Sequence, residues 1–231
     1  MVQELQSAKL ADDLQHPDSD GQPMADNTIQ FHWIVVIKEN LELLFSDRPD
    51  VFVAGDLLWY PDKRSLVRQA PDAMVVFGRP KGDRGSYKQW SENNTAPQVV
   101  FEILSPGNRP AEMAKKLLFY QRYGVEEYYI YDPYKIELTG LLRSGDWLDP
   151  IEQLNGWVSP RLGIRFELTS ETLKIYRPDG QKFLTFAEIE DRAKQAEQRA
   201  QTAESQALLA QERIKLLEQR LREQGIDPDR L

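Results

Sequence analysis

The sequence predicts a mixed α/β fold, and three stretches carry that prediction. Residues 98–133 read as strand, turn, helix and strand in succession. Residues 134–180 hold short segments separated by turn signals, the pattern of an antiparallel extension. From Phe186 onward the pattern becomes an unbroken heptad, which predicts one long helix.

Taken in order, residues 1–23 are polar, with Pro17, Asp18, Asp20, Gly21 and Pro23. They are expected to form a flexible arm, loosely ordered or lying on a partner. Residues 25–45 place Ile29, Trp33, Val36, Ile37, Leu41 and Leu44 at helical spacing, with Asp26 or Asn27 as cap. Glu39 and Glu42 lie on this helix, either at its surface or as a further carboxylate of a metal site. Residues 51–59 alternate loosely and read as a strand, closed by the turn Tyr60-Pro61-Asp62-Lys63. Within them Asp56 is an acid in an apolar setting, either a turn residue after Gly55 or a neighbour of a metal site. Residues 73–77 are an apolar strand preceded by Pro71-Asp72. Proline is tolerated there because no ladder hydrogen bond is lost at a strand start. Residues 78–96 form a long polar loop carrying Tyr87 and Trp90. Loops of that length are usually functional or mobile.

Residues 98–104 are apolar except for Gln98 and Glu102, so they read as a strand buried on both faces. An ionised carboxylate there costs several kcal/mol unless a cation or donors meet it. Ser105-Pro106-Gly107-Asn108 is a turn. Met113, Leu117, Tyr120 and Tyr123 then recur at helical spacing, Gly124 is a C-cap, and residues 128–131 form a second buried strand. If the strands after Pro71 and before Ser105 are neighbours, Asp72 and Glu102 converge at one end of a sheet. Two carboxylates with a nearby ammonium suit a divalent ion.

The tail repeats Phe186, Ile189, Ala193, Ala196, Ala200, Ala203, Ala207, Ala210, Ile214, Leu217 and Leu221 at gaps of three and four. A self-associating coiled coil covers such a seam; a single helix folded back on the domain is the alternative. Alanine buries little area, so Ile214, Leu217 and Leu221 supply most of the pairing energy. Gly225 ends the helix. The expected division is an arm at 1–23, a domain at 24–184 and a coiled-coil helix at 185–231.

Composition narrows the chemistry. There is no cysteine, which removes disulfides, thiolate sites and cysteine nucleophiles, and fits a reducing cytoplasm. The only histidines, His16 and His32, lie in the polar lead-in and the first helix. Oxygen ligands and a hard ion such as magnesium or manganese fit what remains. The first residues are charged and are expected not to be a signal peptide, and no apolar run suits a membrane. The net charge of −8 argues against a broad nucleic-acid-binding surface. Locally, however, Arg79, Lys81, Arg84 and Lys88 cluster against Asp83. Basic residues interleaved with aromatics can grip a nucleic-acid backbone, or can simply form a solvated face.

With these residues in view, the chain resembles the Uma-two family of restriction-endonuclease-like proteins, a branch of the PD-(D/E)XK nuclease superfamily. The matching features are Pro71-Asp72 before an apolar strand, then Val100-Phe101-Glu102-Ile103-Leu104-Ser105-Pro106. Glu112, Lys116 and Tyr120 follow at four-residue spacing, then Tyr123-Gly124-Val125, Glu127-Tyr128 and Asp132-Pro133. Asp56-Leu57 and Trp59-Tyr60 also match. The resemblance covers about residues 24–180. It implies a restriction-endonuclease-like mixed β-sheet flanked by helices. It also implies that Asp72 and Glu102 ligate Mg2+ (or Mn2+), with the Ile103 carbonyl as a further ligand. The lysine expected two residues after the glutamate is replaced by Leu104, and the resemblance moves its role to Lys116. Lys115 points about 100° away around the helix. Glu112 stands where an aspartate is more usual.

The resemblance thus implies a Mg-dependent endonuclease hydrolysing phosphodiester bonds in DNA. Two alternatives stand beside it. One is a catalytically inactive scaffold that oligomerises through its C-terminal helix and binds nucleic acid or protein, with Glu102 and Lys116 forming a buried salt bridge. The other is a hydrolase of small phosphoesters.

Overall fold

The computed structural model describes residues 15–21, 23 and 25–224. Residues 1–14 and 22 of the expected arm, and the helix stop at Gly225, lie outside them.

Helix α1, Thr28–Leu44, begins at Asn27. The Asn27 side chain accepts hydrogen bonds from the amides of Ile29 (3.1 Å) and Gln30 (3.0 Å). Two of the first-turn donors that have no partner within the helix are thereby satisfied. Ile34, Ile37 and Leu41, spaced three and four apart, are buried.

The strands that follow are β1 (Val51–Ala54), β2 (Trp59–Tyr60), β3 (Ala73–Phe77), β4 (Tyr87–Lys88) and β5 (Val99–Ile103). Helix α2 (Pro110–Arg122) leads to β6 (Glu127–Asp132), β7 (Glu137–Ser144) and β8 (Trp147–Pro150). One six-stranded sheet has the order β1-β3-β5-β6-β7-β8. Within this sheet, among the described residues, only β5 and β6 pair in parallel, because α2 carries the chain back between them. A separate hairpin is made of β9 (Arg165–Leu168) and β10 (Leu173–Tyr176).

The central strands alternate between two cores, so both faces are covered and the apolar runs are nearly continuous. Odd-numbered Val51, Val53, Ala73, Val75, Val99, Phe101 and Ile103 share a core with Ile34, Ile37 and Leu41 of α1. Even-numbered Phe52, Ala54, Met74, Val76 and Val100 share the other with Phe119 and Tyr120 of α2. Gly124 follows α2 with φ +92°, the left-handed conformation a C-terminal glycine permits.

Two expectations change here. The single strand expected over residues 51–59 is broken. Asp56 has φ +46° and its amide donates to the Pro71 carbonyl (3.1 Å), which turns the chain out of β1. Trp59 and Tyr60 then pair in parallel with Tyr87 and Lys88. The long loop therefore carries β4, followed by a 3-10 turn at Gln89–Ser91. Residues 16–18 lie on this ribbon. His16 is fully buried, with its ring 5.2 Å from Tyr60 and 4.9 Å from Trp90. Tyr60 Oη donates to the Pro17 carbonyl (2.7 Å) and Ser86 Oγ to Asp18 (2.6 Å). A β-carbon at Gly85 would overlap the Asp18 carboxylate.

Glu127 is a buried acid at the start of β6, and burial raises its pKa above the usual range. Its oxygens accept from Tyr129 Oη (2.9 Å), from the Arg161 amide (2.6 Å) and from Ser159 Oγ. It ties the chain after β8 to the sheet. In Glu127→Gln one acceptor oxygen becomes an NH2 that faces donors. We expect a loss of about 1–3 kcal/mol in urea unfolding.

Residues from Leu184 form a second compact unit. Helix α3, Phe186–Glu223, spans 38 residues. Thr185 and Glu188 close its start reciprocally: Glu188 N donates to Thr185 Oγ1 (3.2 Å) and Thr185 N to Glu188 Oε2 (2.8 Å). Phe186, Ile189, Ile214 and Leu217 of the heptad are exposed. Among the described residues, no helix is long and apolar enough to cross a membrane.

Candidate active site

The β3–β5 register fixes where the two acids meet. Ala73 pairs with Phe101 and Met74 with Val100. Continued by one residue, that antiparallel register sets Asp72 opposite Glu102. Both take the even-numbered positions, on the α2 side of the sheet. Asp72 and Glu102 are buried, at 7% and 2% exposure.

Helix α2 supplies the partners. Lys116 Nζ lies 2.6 Å from Glu102 Oε2, and Tyr120 Oη donates to Glu102 Oε1 at 2.5 Å. Lysine and tyrosine four residues apart share one helix face, so both reach the same carboxylate. The Tyr120 ring stacks on Trp59, 6.3 Å away and 3° from parallel. Lys115 is exposed. Asp72 Oδ2 accepts from the Ile103 amide at 2.6 Å.

The electrostatics follow from burial. Burial, then the Glu102 charge, push the Asp72 carboxyl up to about 8. Burial alone would lower the Lys116 pKa, but Glu102 and Asp72 outweigh it and raise it. Burial raises the Tyr120 pKa well above its ordinary value, so its hydroxyl stays protonated. Tyr128 of β6 also feels both carboxylates, after burial, and its pKa rises too; its buried hydroxyl has no hydrogen-bond partner among the described residues. Asp56 belongs to the same field. Burial and Asp20 push it up to about 6, Lys116 pulls it down and Glu102 raises it.

One residue here went unrecognised in the sequence. Gln30, at 7% exposure, donates from Nε2 to the Ile103 carbonyl (2.9 Å) and accepts the Asp26 amide on Oε1 (2.8 Å). Its signal was legible: Gln30 is the polar member of the stripe Gln30, Ile34, Ile37, Leu41. Asp26, one of two candidate caps, instead accepts from Ser105 Oγ.

Other expected groups lie elsewhere. Glu39 and Glu42 bond Lys38, at 3.0 and 2.5 Å. Glu112 caps α2, accepting the Arg109 amide at 3.3 Å. Within the basic cluster, Arg79 and Arg84 both pair with Glu92, at 2.8 and 2.7 Å, with side chains only 14% and 12% exposed. Arg84 also lies over the Phe52 ring, 3.9 Å from its centroid. These two arginines pin the loop to the domain. Lys81 and Lys88 are half-buried.

The donor chemistry fits a hard divalent ion. The field of Asp72, Glu102 and Asp56 includes the ammonium of Lys116, and Asp72 is held above the ordinary carboxylate range by burial first and by the Glu102 charge second. Magnesium commonly takes one or two carboxylates and keeps several waters. Among the described residues, no three His, Cys, Asp or Glu side chains are grouped to hold an ion. The groups here that could hold such an ion are the Asp72 and Glu102 carboxylates, with main-chain oxygen beside them.

The Uma2 family model, described as "Putative restriction endonuclease", matches residues 13–171. No curated protein matches the chain. Among solved structures, a crystal structure of a "putative nuclease" from Anabaena variabilis is similar, at 15% identity and a TM-score of 0.43. The match covers 62% of this chain and 78% of that one.

Proposed function

The chain belongs to the Uma2 family of "putative restriction endonucleases", and from that premise we propose that it is a magnesium-dependent endonuclease hydrolysing phosphodiester bonds in DNA. The observation that carries the proposal is the Asp72–Glu102 pair, two buried carboxylates at adjoining strand ends, with the Lys116 ammonium against one of them.

In this reading Asp72, Glu102 and the Ile103 carbonyl hold Mg2+, or Mn2+ in its place. Such an ion, when bound, polarises a phosphoryl oxygen and lowers the pKa of a coordinated water. Lys116 orients the attacking water or stabilises charge developing on the phosphoryl group. Its flexible stem lets the ammonium leave Glu102 once the local negative charge is neutralised. Tyr120 holds Glu102 Oε1 throughout. Lys81 and Lys88 approach the DNA backbone, while Arg79 and Arg84 keep the loop that carries them in place.

A second reading, the inactive scaffold, is favoured by one observation. Both Glu102 oxygens and both main-chain groups of Ile103 already have partners within the chain. Incubation of supercoiled plasmid with Mg2+, with and without chelator, separates the two. Nicking that needs the ion supports the endonuclease. No nicking, together with no saturable Mn2+ uptake in calorimetry, leaves the scaffold.

The tail adds a partner. Exposed Ile214 and Leu217 continue a heptad that one chain leaves uncovered, and a second copy supplies the matching seam. The full chain is expected to sediment as a dimer or larger, and a chain ending at Glu190 as a smaller species. Equal subunit numbers for the two would refute this.

A further inference from the structure

We propose that Gln30 is a positioning residue for the candidate ion site, acting through the peptide groups of Ile103. The inference rests on the two-carboxylate reading above.

The β3–β5 pairing ends at Ala73 and Phe101. Beyond it Ile103 takes side-chain partners on both of its polar main-chain groups. Its N–H goes to Asp72 (2.6 Å) and its C=O receives Gln30 (2.9 Å). Ile103 directly follows Glu102, so this one residue touches the settings of both acids. If its carbonyl is free to swing, the N–H that aims Asp72 and the strand end that carries Glu102 swing with it.

Gln30 is well placed to prevent this. It is buried in the first turn of α1, an element whose apolar stripe packs on the sheet. Its amide has one workable orientation. Oε1 accepts the Asp26 amide and Nε2 donates to Ile103. The flipped amide would set donor against donor and oxygen against oxygen. A second contact runs from Ser105, just past β5, to Asp26, just before α1. The strand end and the helix start are therefore bonded twice, and Gln30 is the bond that reaches the residue between the acids.

The test is calorimetric titration of Mn2+ into the full chain, comparing the wild type, Gln30→Leu and Asn40→Leu. Asn40 is the control. It is a buried amide ten residues along α1 and donates to the Val36 carbonyl of its own helix (2.8 Å). Gln30→Leu is expected to weaken Mn2+ binding by about 10- to 100-fold, the scale seen when an outer partner of a metal ligand is removed. Asn40→Leu should lower the melting temperature but leave the Mn2+ affinity within about twofold of the wild type, well short of that 10- to 100-fold loss. If Gln30→Leu does not fold, Gln30→Met, closer in shape, is expected to show the same loss. Unchanged affinity in a folded Gln30 variant, with binding intact in the wild type, overturns this inference alone. Absence of Mn2+ binding in the wild type overturns the two-carboxylate reading and this inference with it.

Discussion

Asp72→Asn and Glu102→Gln are each expected to lower magnesium-dependent plasmid cleavage by about a thousandfold or more. Charge stabilisation by a bound metal amounts to several kcal/mol, and about 1.4 kcal/mol is tenfold in rate. Asp72→Asn is the cleaner change. The asparagine oxygen can still accept the Ile103 amide, so the strand end keeps its hydrogen bond while the charge is lost. Glu102→Gln is harsher, because its new NH2 must face either the Lys116 ammonium, which cannot accept, or Tyr120 Oη, which must turn its own proton away. Lys116 is 22% exposed and can turn outward, which limits the damage to the fold. Near-ultraviolet circular dichroism on both variants separates lost chemistry from lost packing. Lys116→Met completes the set: it should reduce cleavage while keeping Mn2+ binding, because the ammonium is not a ligand. Undiminished cleavage by both acid variants would end the assignment of these residues.

The sheet-end acids were legible because burial makes charge conspicuous. Pro71-Asp72 introduces one apolar run and Glu102 interrupts another, and an isolated ionised acid in such a run needs a partner. What stayed hidden was pairing chosen by tertiary contact. Arg79 and Arg84 looked like an outward basic patch with Asp83 as its nearest acid. Their partner is Glu92, thirteen and eight residues on, brought to them by the fold of the loop. The break after Ala54 was half legible, because Asp56 also read as a turn residue after Gly55. Gly55-Asp56 lies inside an apolar stretch, and only the bond to Pro71 and the pairing of Trp59 with Tyr87 turn it into a corner. Gln30 was not hidden in this way: its place on the buried stripe was legible, but helical periodicity registers apolar spacing and passes over the polar member. Tyr120 was placed on the helix correctly, but periodicity alone says nothing of the hydroxyl bond to Glu102.

Removing the charge at Asp72 is also expected to stabilise the metal-free protein near pH 8, although it removes a buried carboxylate that the fold already accommodates. The folded chain holds the Asp72 proton up to about 8, chiefly because burial disfavours the anion and Glu102 repels it. The unfolded chain releases that proton near the ordinary aspartate value of about 4. Between those two values the folded state binds the extra proton. Unfolding therefore releases it, and raising the pH favours unfolding by up to about 1.4 kcal/mol per unit. In chelator, wild-type stability should thus fall from about pH 5 to pH 8 relative to Asp72→Asn, which has nothing to titrate there. Asp56, pushed up to about 6, is present in both proteins, so the difference between the two curves reads Asp72 together with its smaller coupling to Asp56. Mn2+ should reverse the order. A divalent ion binds the ionised pair, so it raises wild-type stability with increasing pH and leaves Asp72→Asn nearly unmoved. Urea unfolding of both proteins at several pH values, with chelator and with Mn2+, reads all of this. Parallel curves in chelator would mean that Asp72 is ionised in the fold without an ion, and the electrostatic argument for a cation beside it would fail.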